Sequence, residues 1–291
     1  MPGELLHVGL IGHPVAHSRS PAMQQAAFDA LGIAARYELW DTAPEDLAAR
    51  VAQLREPHIL GANVTIPHKQ NIVPLLDQLA PAAEQVAGAV NTVVREQRGG
   101  RARLVGYNTD VAGLEALFLE ATTWPAGRRV LLLGAGGTAQ AVAGLAVREG
   151  AAALMVAARR VEAAAALVRA VSARLGRPPA TSETFAVDDD GALAAALARC
   201  DVLINATPVG MEDAAASPIP EALLRRLPAG ARVLDAVYTP PETALVRAAR
   251  AAGLVAVNGL PMLLHQGAAA FELWTGHAAP LAVMRAALGL G

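Results

Sequence analysis

The chain has 291 residues, 54% of them hydrophobic and 17% charged, which is apolar material for one sizeable core or two modest ones, so two domains are expected. A net charge of −2, with no basic block and no run of interleaved aromatics, argues against a nucleic-acid surface. Mean hydropathy is positive, yet Gly, Pro or charge interrupts every apolar run well short of ~18 residues, which excludes a membrane-spanning helix.

The N-terminal Met1–His7 has neither a positive n-region nor a small-residue cleavage site, so a cytosolic location is expected. A short apolar run from His7 to Gly12 reads as a strand, and Ser20-Pro21, as N-cap and N1, opens an Ala-rich helix to about Leu31. Strand-like Tyr37–Trp40, helical Pro44–Leu54 and strand-like Ile59–Val64 follow. This alternation predicts an α/β unit with a mainly parallel sheet, spanning 1–112, whose loops at the strand ends form a site.

A second unit is predicted over 113–258. Arg129-Val-Leu-Leu-Leu leads into Gly134-Ala-Gly-Gly-Thr-Ala, a long Ala-rich helix and the apolar run Ala153–Ala157. Further strands are expected at Val202–Asn205 and Val233–Ala236, as in a doubly wound, Rossmann-type sheet. Cys200, the single cysteine, stands at the entry to one of them and reads as a structural thiol. Arg174–Thr184, with Pro178-Pro179, reads as a loop. The apolar helical segment Pro261–Leu290 is expected to return to the first domain, completing it with 259–291.

Gly134-x-Gly136-x-x-Ala139 lies between a strand and a helix, the context that a dinucleotide site requires. Gly134 permits the tight turn, Gly136 a close approach of a pyrophosphate, and Ala139 close packing of helix on sheet. Ala135, Gly137 and Thr138 complete the turn at the helix N-terminus, whose amides and dipole favour phosphate. At the end of the next strand an NAD site usually offers an acid to the ribose; here the chain reads Ala157-Ala158-Arg159-Arg160. Arg159 and Arg160 suit a 2′-phosphate, which points to NADP.

The polar chemistry is gathered in His17-Ser18-Arg19-Ser20-Pro21, Asn63-Val-Thr65-Ile-Pro67-His-Lys69, Gly88-Ala-Val-Asn91-Thr and Gly106-Tyr-Asn108-Thr-Asp110. Hydroxyls and amides grip a polyol acid, while one amine and one carboxylate remain for proton transfer. All but one of the 24 Lys+Arg residues are Arg, and the exception is Lys69, an amine able to give up a proton. Of the six Asn, Asn63, Asn91, Asn108, Asn205 and Asn258 fall at strand-end or loop positions. His13 and His17 have the i, i+4 spacing of metal ligands, but Pro14 lies between them without a third ligand, so no metal is expected.

These segments, in this order, resemble the shikimate dehydrogenase family. The likeness continues through Asn205-Ala-Thr207-Pro-x-Gly210-Met, Asp235-Ala-Val-Tyr238-x-Pro240 and Asn258-Gly-Leu-x-Met262-Leu-x-x-Gln266-Gly. It implies that Ser18 and Ser20 bind a substrate carboxylate, with Tyr238 nearby, and that Thr65, Asn91, Asp110 and Gln266 surround ring hydroxyls. Thr207, Met211, Val237, Gly259 and Met262 are implied on the nicotinamide side. Lys69 and Asp110 are the implied catalytic pair for NADPH-dependent, reversible reduction of 3-dehydroshikimate to shikimate. Three departures stand out: Ala158-Arg159-Arg160 replaces Asn-Arg-Thr/Ser, Met23-Gln24-Gln25 lacks the usual His-Asn, and Pro261 replaces a frequent Gly.

The resemblance leaves two alternatives: a quinate/shikimate dehydrogenase preferring NAD, and a non-catalytic relative that senses a ligand. Arg159-Arg160 and the Ser20 hydroxyl lean against the first, the intact amine and acid against the second. A small-molecule substrate is the expected partner, and a homodimer remains open.

Overall fold

Apolar strand runs alternating with Ala-rich helices build two separate six-stranded sheets in this computed structural model, which describes residues 5–290. Residues 1–4, part of the segment read above for a leader, lie outside the described residues. The chain divides into one unit of 5–84, Ala89–Gly113 and 263–290, and another of Gln85–Gly88 and Leu114–Met262. The boundaries expected after 112 and 258 thus fall after Gly113 and Met262.

In the first unit the elements are β1 (Leu6–Gly12), α1 (Ser20–Ala30), β2 (Ala35–Asp41), α2 (Leu47–Gln53), β3 (Ile59–Val64), β4 (Gln78–Leu79), β5 (Thr92–Arg98) and β6 (Arg101–Tyr107). The strand order is β2-β1-β3-β5-β6-β4. β1 runs parallel to β2 and β3, and β4 to β6, while β5 is antiparallel to both its neighbours. The sheet is mainly parallel, as expected, but the β5–β6 hairpin was not anticipated. Its outer half is charged from Arg95 to Arg103, which hides the period-two pattern, and the turn is made by Gly99 and Gly100, both at positive φ (57° and 77°). Helix α1 begins at Ser20 with Arg19 as N-cap, one residue before the expected start. A tight 3-10 turn, Pro44–Asp46, precedes α2.

From α3 (Asp110–Glu120) the chain passes into the second unit: β7 (Arg129–Leu133), α4 (Gly137–Arg148), β8 (Ala153–Ala158), α5 (Val161–Leu175), β9 (Ser182–Ala186), α6 (Asp190–Leu197), β10 (Val202–Asn205), α7 (Glu221–Leu224), β11 (Arg232–Asp235), α8 (Ala244–Ala251) and β12 (Val255–Val257). Every pairing is parallel, in the order β12-β11-β10-β7-β8-β9. β8 and β10 are buried throughout, the mark of strands covered on both faces. The order reverses between β7 and β10, the switch point where such sheets bind ligands.

Two differences from expectation have tertiary causes. Helix α5 runs on through Arg174 because the Arg174 guanidinium donates to Gln140 Oε1 of α4 at 2.8 Å, leaving only 176–181 as loop before edge strand β9. Gln85–Gly88 groups with the second unit because Gly144 has no side chain: a Cβ there would stand 2.1 Å from the Val86 carbonyl oxygen.

Helices α9 (Leu260–Thr275) and α10 (Leu281–Ala287) end the chain, and from Leu263 onward they belong to the first unit. The Phe28 and Phe271 rings pack at 5.1 Å, and Trp274 Nε1 donates to the Val93 carbonyl at 3.0 Å. Gln24 Nε2, where the family pattern has His, donates to the Gly267 carbonyl at 2.9 Å, fixing the residue after Gln266.

Candidate active site

The register of the first sheet decides which loops meet. Ile11 pairs with Val64, Asn63 with Thr92, and Thr92 with Tyr107. Because β5 is antiparallel, its first residue lies level with the last residues of β1, β3 and β6. The four polar segments therefore leave one edge of the sheet, the carboxyl edge of its parallel strands. Backbone bonds join their roots: Thr65 N–H to Ile11 O (2.8 Å), Val64 N–H to Asn91 O (2.7 Å), Asn91 N–H to Tyr107 O (3.1 Å) and Val90 N–H to Lys69 O (2.8 Å).

At that edge Lys69 Nζ donates to Asp110 Oδ2 at 2.5 Å, with the two side chains 14% and 6% exposed. Asn91 Nδ2 donates to Asp110 Oδ1 at 2.8 Å and to Thr109 Oγ1 at 3.0 Å, and lies 3.4 Å from Gln266 Oε1. The other end of the same amide, Asn91 Oδ1, accepts the Thr109 N–H at 2.7 Å. Asp110 is the first residue of α3, and one of its oxygens is held by Lys69 and the other by Asn91. A buried carboxylate held by one amide and one amine suits proton transfer at a bound hydroxyl or ketone.

Lys69, Asp110, Asn91 and Gln266 thus form one bonded group. Ser18 and Ser20 stand where β1 leads into α1, with Ser18 Oγ accepting the Ser20 N–H at 3.2 Å, and Thr65 stands just past β3. They reach the same edge through the ends of paired strands. Supporting residues went unread in the sequence. Tyr37 Oη donates to Asn63 Oδ1 (2.8 Å), and Asn63 Nδ2 donates to Asn91 O (3.2 Å) and Thr92 Oγ1 (3.1 Å). Thr92 and Thr109 lie inside two of the polar segments, next to Asn91 and Asp110. Tyr37 lies 26 positions from its partner and carries no local signal.

In the second unit the phosphate-type turn joins β7 to α4. Gly134 sits at φ 106°, its N–H bonded to Ala157 O at 2.8 Å, a conformation that side chains rarely adopt. Gly136 is the N-cap of α4, and nothing lies within 4 Å of where its Cβ would stand, so the helix end at Gly136, Gly137 and Thr138 is open to an anion, while Ala139 is buried. Arg159 and Arg160 are exposed immediately after β8, with Arg160 as the N-cap of α5. These features fit a phosphorylated dinucleotide.

The residues that the resemblance implies on the nicotinamide side are spread over the ends of β10, β11 and β12. Asn205 Oδ1 accepts the Thr207 N–H (3.0 Å) and hydroxyl (2.7 Å), while its Nδ2 donates to Asp235 Oδ1 (2.8 Å). Asp235 also accepts from Val237 N–H (3.0 Å) and from the Thr243 hydroxyl (2.6 Å). Burial pushes the Asp235 carboxyl above its ordinary value, although all three donors pull it down. Met211 is exposed, Val237, Gly259 and Met262 are buried, and Tyr238 is half-buried beyond β11. Asn258 Oδ1 accepts the Leu260 N–H at 3.0 Å at the start of α9.

Other polar groups have local partners. His13 Nδ1 meets Asp41 Oδ1 at 2.7 Å, and no group of three His, Cys, Asp or Glu among the described residues is placed to hold a metal. Cys200 is buried, and its thiol is pushed up to about 12. No helix among the described residues is long and apolar enough to cross a membrane.

Comparison with known proteins adds three family models. Residues 10–93 match the shikimate dehydrogenase substrate-binding domain, 259–288 the shikimate 5′-dehydrogenase C-terminal domain, and 130–257 the saccharopine dehydrogenase NADP-binding domain. A shikimate dehydrogenase (NADP(+)) of Symbiobacterium thermophilum is 46% identical over 289 residues, covering 98% of this chain and 94% of that one. The shikimate 5-dehydrogenase of Thermus thermophilus, solved with NADP(H) and shikimate, superposes with a TM-score of 0.81 at 38% identity, covering 98% of each chain. The quinate dehydrogenase of Corynebacterium glutamicum, solved with NAD, superposes with a TM-score of 0.85 at 33% identity, covering 97% and 98%.

Proposed function

The chain belongs to the shikimate dehydrogenase family, and from that premise we propose that Lys69 and Asp110 form its reacting centre. The enzyme is an NADP-dependent oxidoreductase acting on a CH–OH group, reducing 3-dehydroshikimate to shikimate in the biosynthesis of chorismate and the aromatic amino acids. The observation that carries the reading of the centre is the 2.5 Å contact between the chain's single lysine and a carboxylate aimed by Asn91.

NADPH, when bound, would supply the hydride that reduces the carbonyl carbon. As negative charge grows on the ketone oxygen, the Lys69 ammonium stabilises it and then delivers the proton, giving the alcohol and a neutral amine. Asp110, bonded to that amine, holds it at the reacting centre. Thr65, Asn91 and Gln266 orient the ring hydroxyls, and Ser18 and Ser20 receive the carboxylate. Gly134–Ala139 receive the pyrophosphate, Arg159 and Arg160 the 2′-phosphate, and Thr207, Met211, Val237, Gly259 and Met262 the nicotinamide end. Under this reading the enzyme acts on a small molecule in the cytosol.

Shikimate oxidation assayed with NADP and NAD in parallel, then with quinate, tests the reading. NADP with shikimate is the preferred pair because two arginines and no acid follow β8. Faster turnover of quinate with NAD would move the protein to the other branch of the fold it shares with the quinate enzyme. No turnover with any hydroxy acid would favour a ligand sensor.

A further inference from the structure

We propose that His68 is a positioning residue for Lys69, an inference that rests on reading Lys69 as the reacting amine. His68 is fully buried, and its Nε2 lies 2.7 Å from the Thr42 carbonyl oxygen. A carbonyl only accepts, so Nε2 carries the proton and donates. Thr42 is itself fixed, its N–H bonded to Gly12 O at 2.9 Å and its hydroxyl to Trp40 O at 2.8 Å. The imidazole therefore ties the lysine segment to the end of β2.

Residues 65–72 form turns between β3 and the rest of the sheet, so tethers set their place. One end is held by Thr65 N–H to Ile11 O (2.8 Å), and Lys69 O is held by Val90 N–H (2.8 Å). Within the turn His68 N–H donates to Thr65 O and His68 O accepts from Ile72 N–H, both at 2.9 Å. These are backbone bonds open to many sequences; the His68 bond depends on the side chain chosen. It also leaves Nδ1 buried with no hydrogen-bond partner, a liability that an aromatic hydrocarbon of similar size would avoid. A residue that only filled space has no need of that nitrogen pair. A residue that aims the next one does: Lys69 follows His68 directly, so tying the His68 ring to Thr42 O sets the backbone from which the lysine stem reaches Asp110.

His68→Phe keeps a ring and removes the donor, while His68→Gln restores an N–H of similar reach. His68→Phe should lower kcat about 10- to 100-fold, with KM for shikimate and NADP within about twofold, and His68→Gln should recover to within about threefold of the parent. The chain has one lysine, so labelling with 13Cε-lysine gives one NMR signal. In His68→Phe that signal should shift as it does in Asp110→Asn, and in His68→Gln it should stay near the parent. Parental kcat in His68→Phe, equal slowing in both variants, or an unmoved lysine signal would overturn the proposal. If His68→Phe does not fold, His68→Leu takes its place under the same criteria. Parental turnover in Lys69→Ala would sink the reading of Lys69 instead, and the NMR signal would then judge His68 alone.

Discussion

The two sheets solve different problems with different materials. In the first unit the working groups are side chains, and they are held by other side chains: Asn91 alone bonds Asp110, Thr109 and the Thr109 backbone, and Tyr37 braces Asn63 beneath it. In the second unit the turn proposed for phosphate is built from backbone, with Gly134 in a conformation that favours glycine and Gly136 leaving a helix end bare. Chemistry that moves a proton needs a particular amine and acid within reach of each other. Binding a phosphate needs amide donors, which every sequence has, and room to approach them. The first site should therefore fail by loss of rate and the second by loss of affinity.

The largest effect tests that division directly. Lys69→Ala should lower kcat about 10²–10⁴-fold while shikimate and NADP affinities and the melting temperature stay close to the parent. Adding Asp110→Asn should slow it by much less than Asp110→Asn does alone, since the two act as a unit. Near-parental single-turnover rates in Lys69→Ala would erase the contrast between the units.

Arg159→Ala should raise the KM for NADPH about tenfold or more through loss of charge-assisted bonds, with little change for NADH and none in shikimate affinity. An unchanged NADPH KM would remove Arg159 from the 2′-phosphate site. Gly134→Ala imposes a side chain at φ 106°, with its Cβ 3.1 Å from Ala206 O. Strain of about 1–3 kcal/mol should weaken NADP binding roughly tenfold, readable by calorimetry, and leave shikimate binding alone.

The smallest effect concerns the core of the second unit. Burial raises the Cys200 thiol to about 12 from an ordinary 9.0, so the neutral thiol is favoured in the folded state. That contribution is fully present below pH 9 and fades as pH rises toward 12, by at most about 1.4 kcal/mol per unit. Urea midpoints of the parent should fall more steeply from pH 9 to 11 than those of Cys200→Ala. Parallel slopes would show that the thiol ionises without opening the core. Thiol reagents should label the native enzyme slowly and the unfolded chain at once.

Much of this was legible in the chain itself. The βαβ unit around Gly134–Ala139, strands β3 and β10 and the polar segments of the site are local, written in periods of two and 3.6 and in residues with few structural uses, such as the single lysine and the strand-end asparagines. The β5–β6 hairpin was missed because charge masks its alternation, and β9 because an edge strand needs little apolar material.

Tertiary structure alone decided the rest, and for one reason: a hydrogen bond across tens of residues leaves no trace at either end. The antiparallel direction of β5 put Asn91 on the same edge as Lys69 and Asp110. The approach of α4 on Val86 through Gly144 set a domain boundary, and the Thr42 carbonyl gave His68 its partner. The sequence by itself narrowed the candidates for proton transfer, because few side chains can give up or take a proton. Their distances were set by register, which depends on how whole strands and helices pack together.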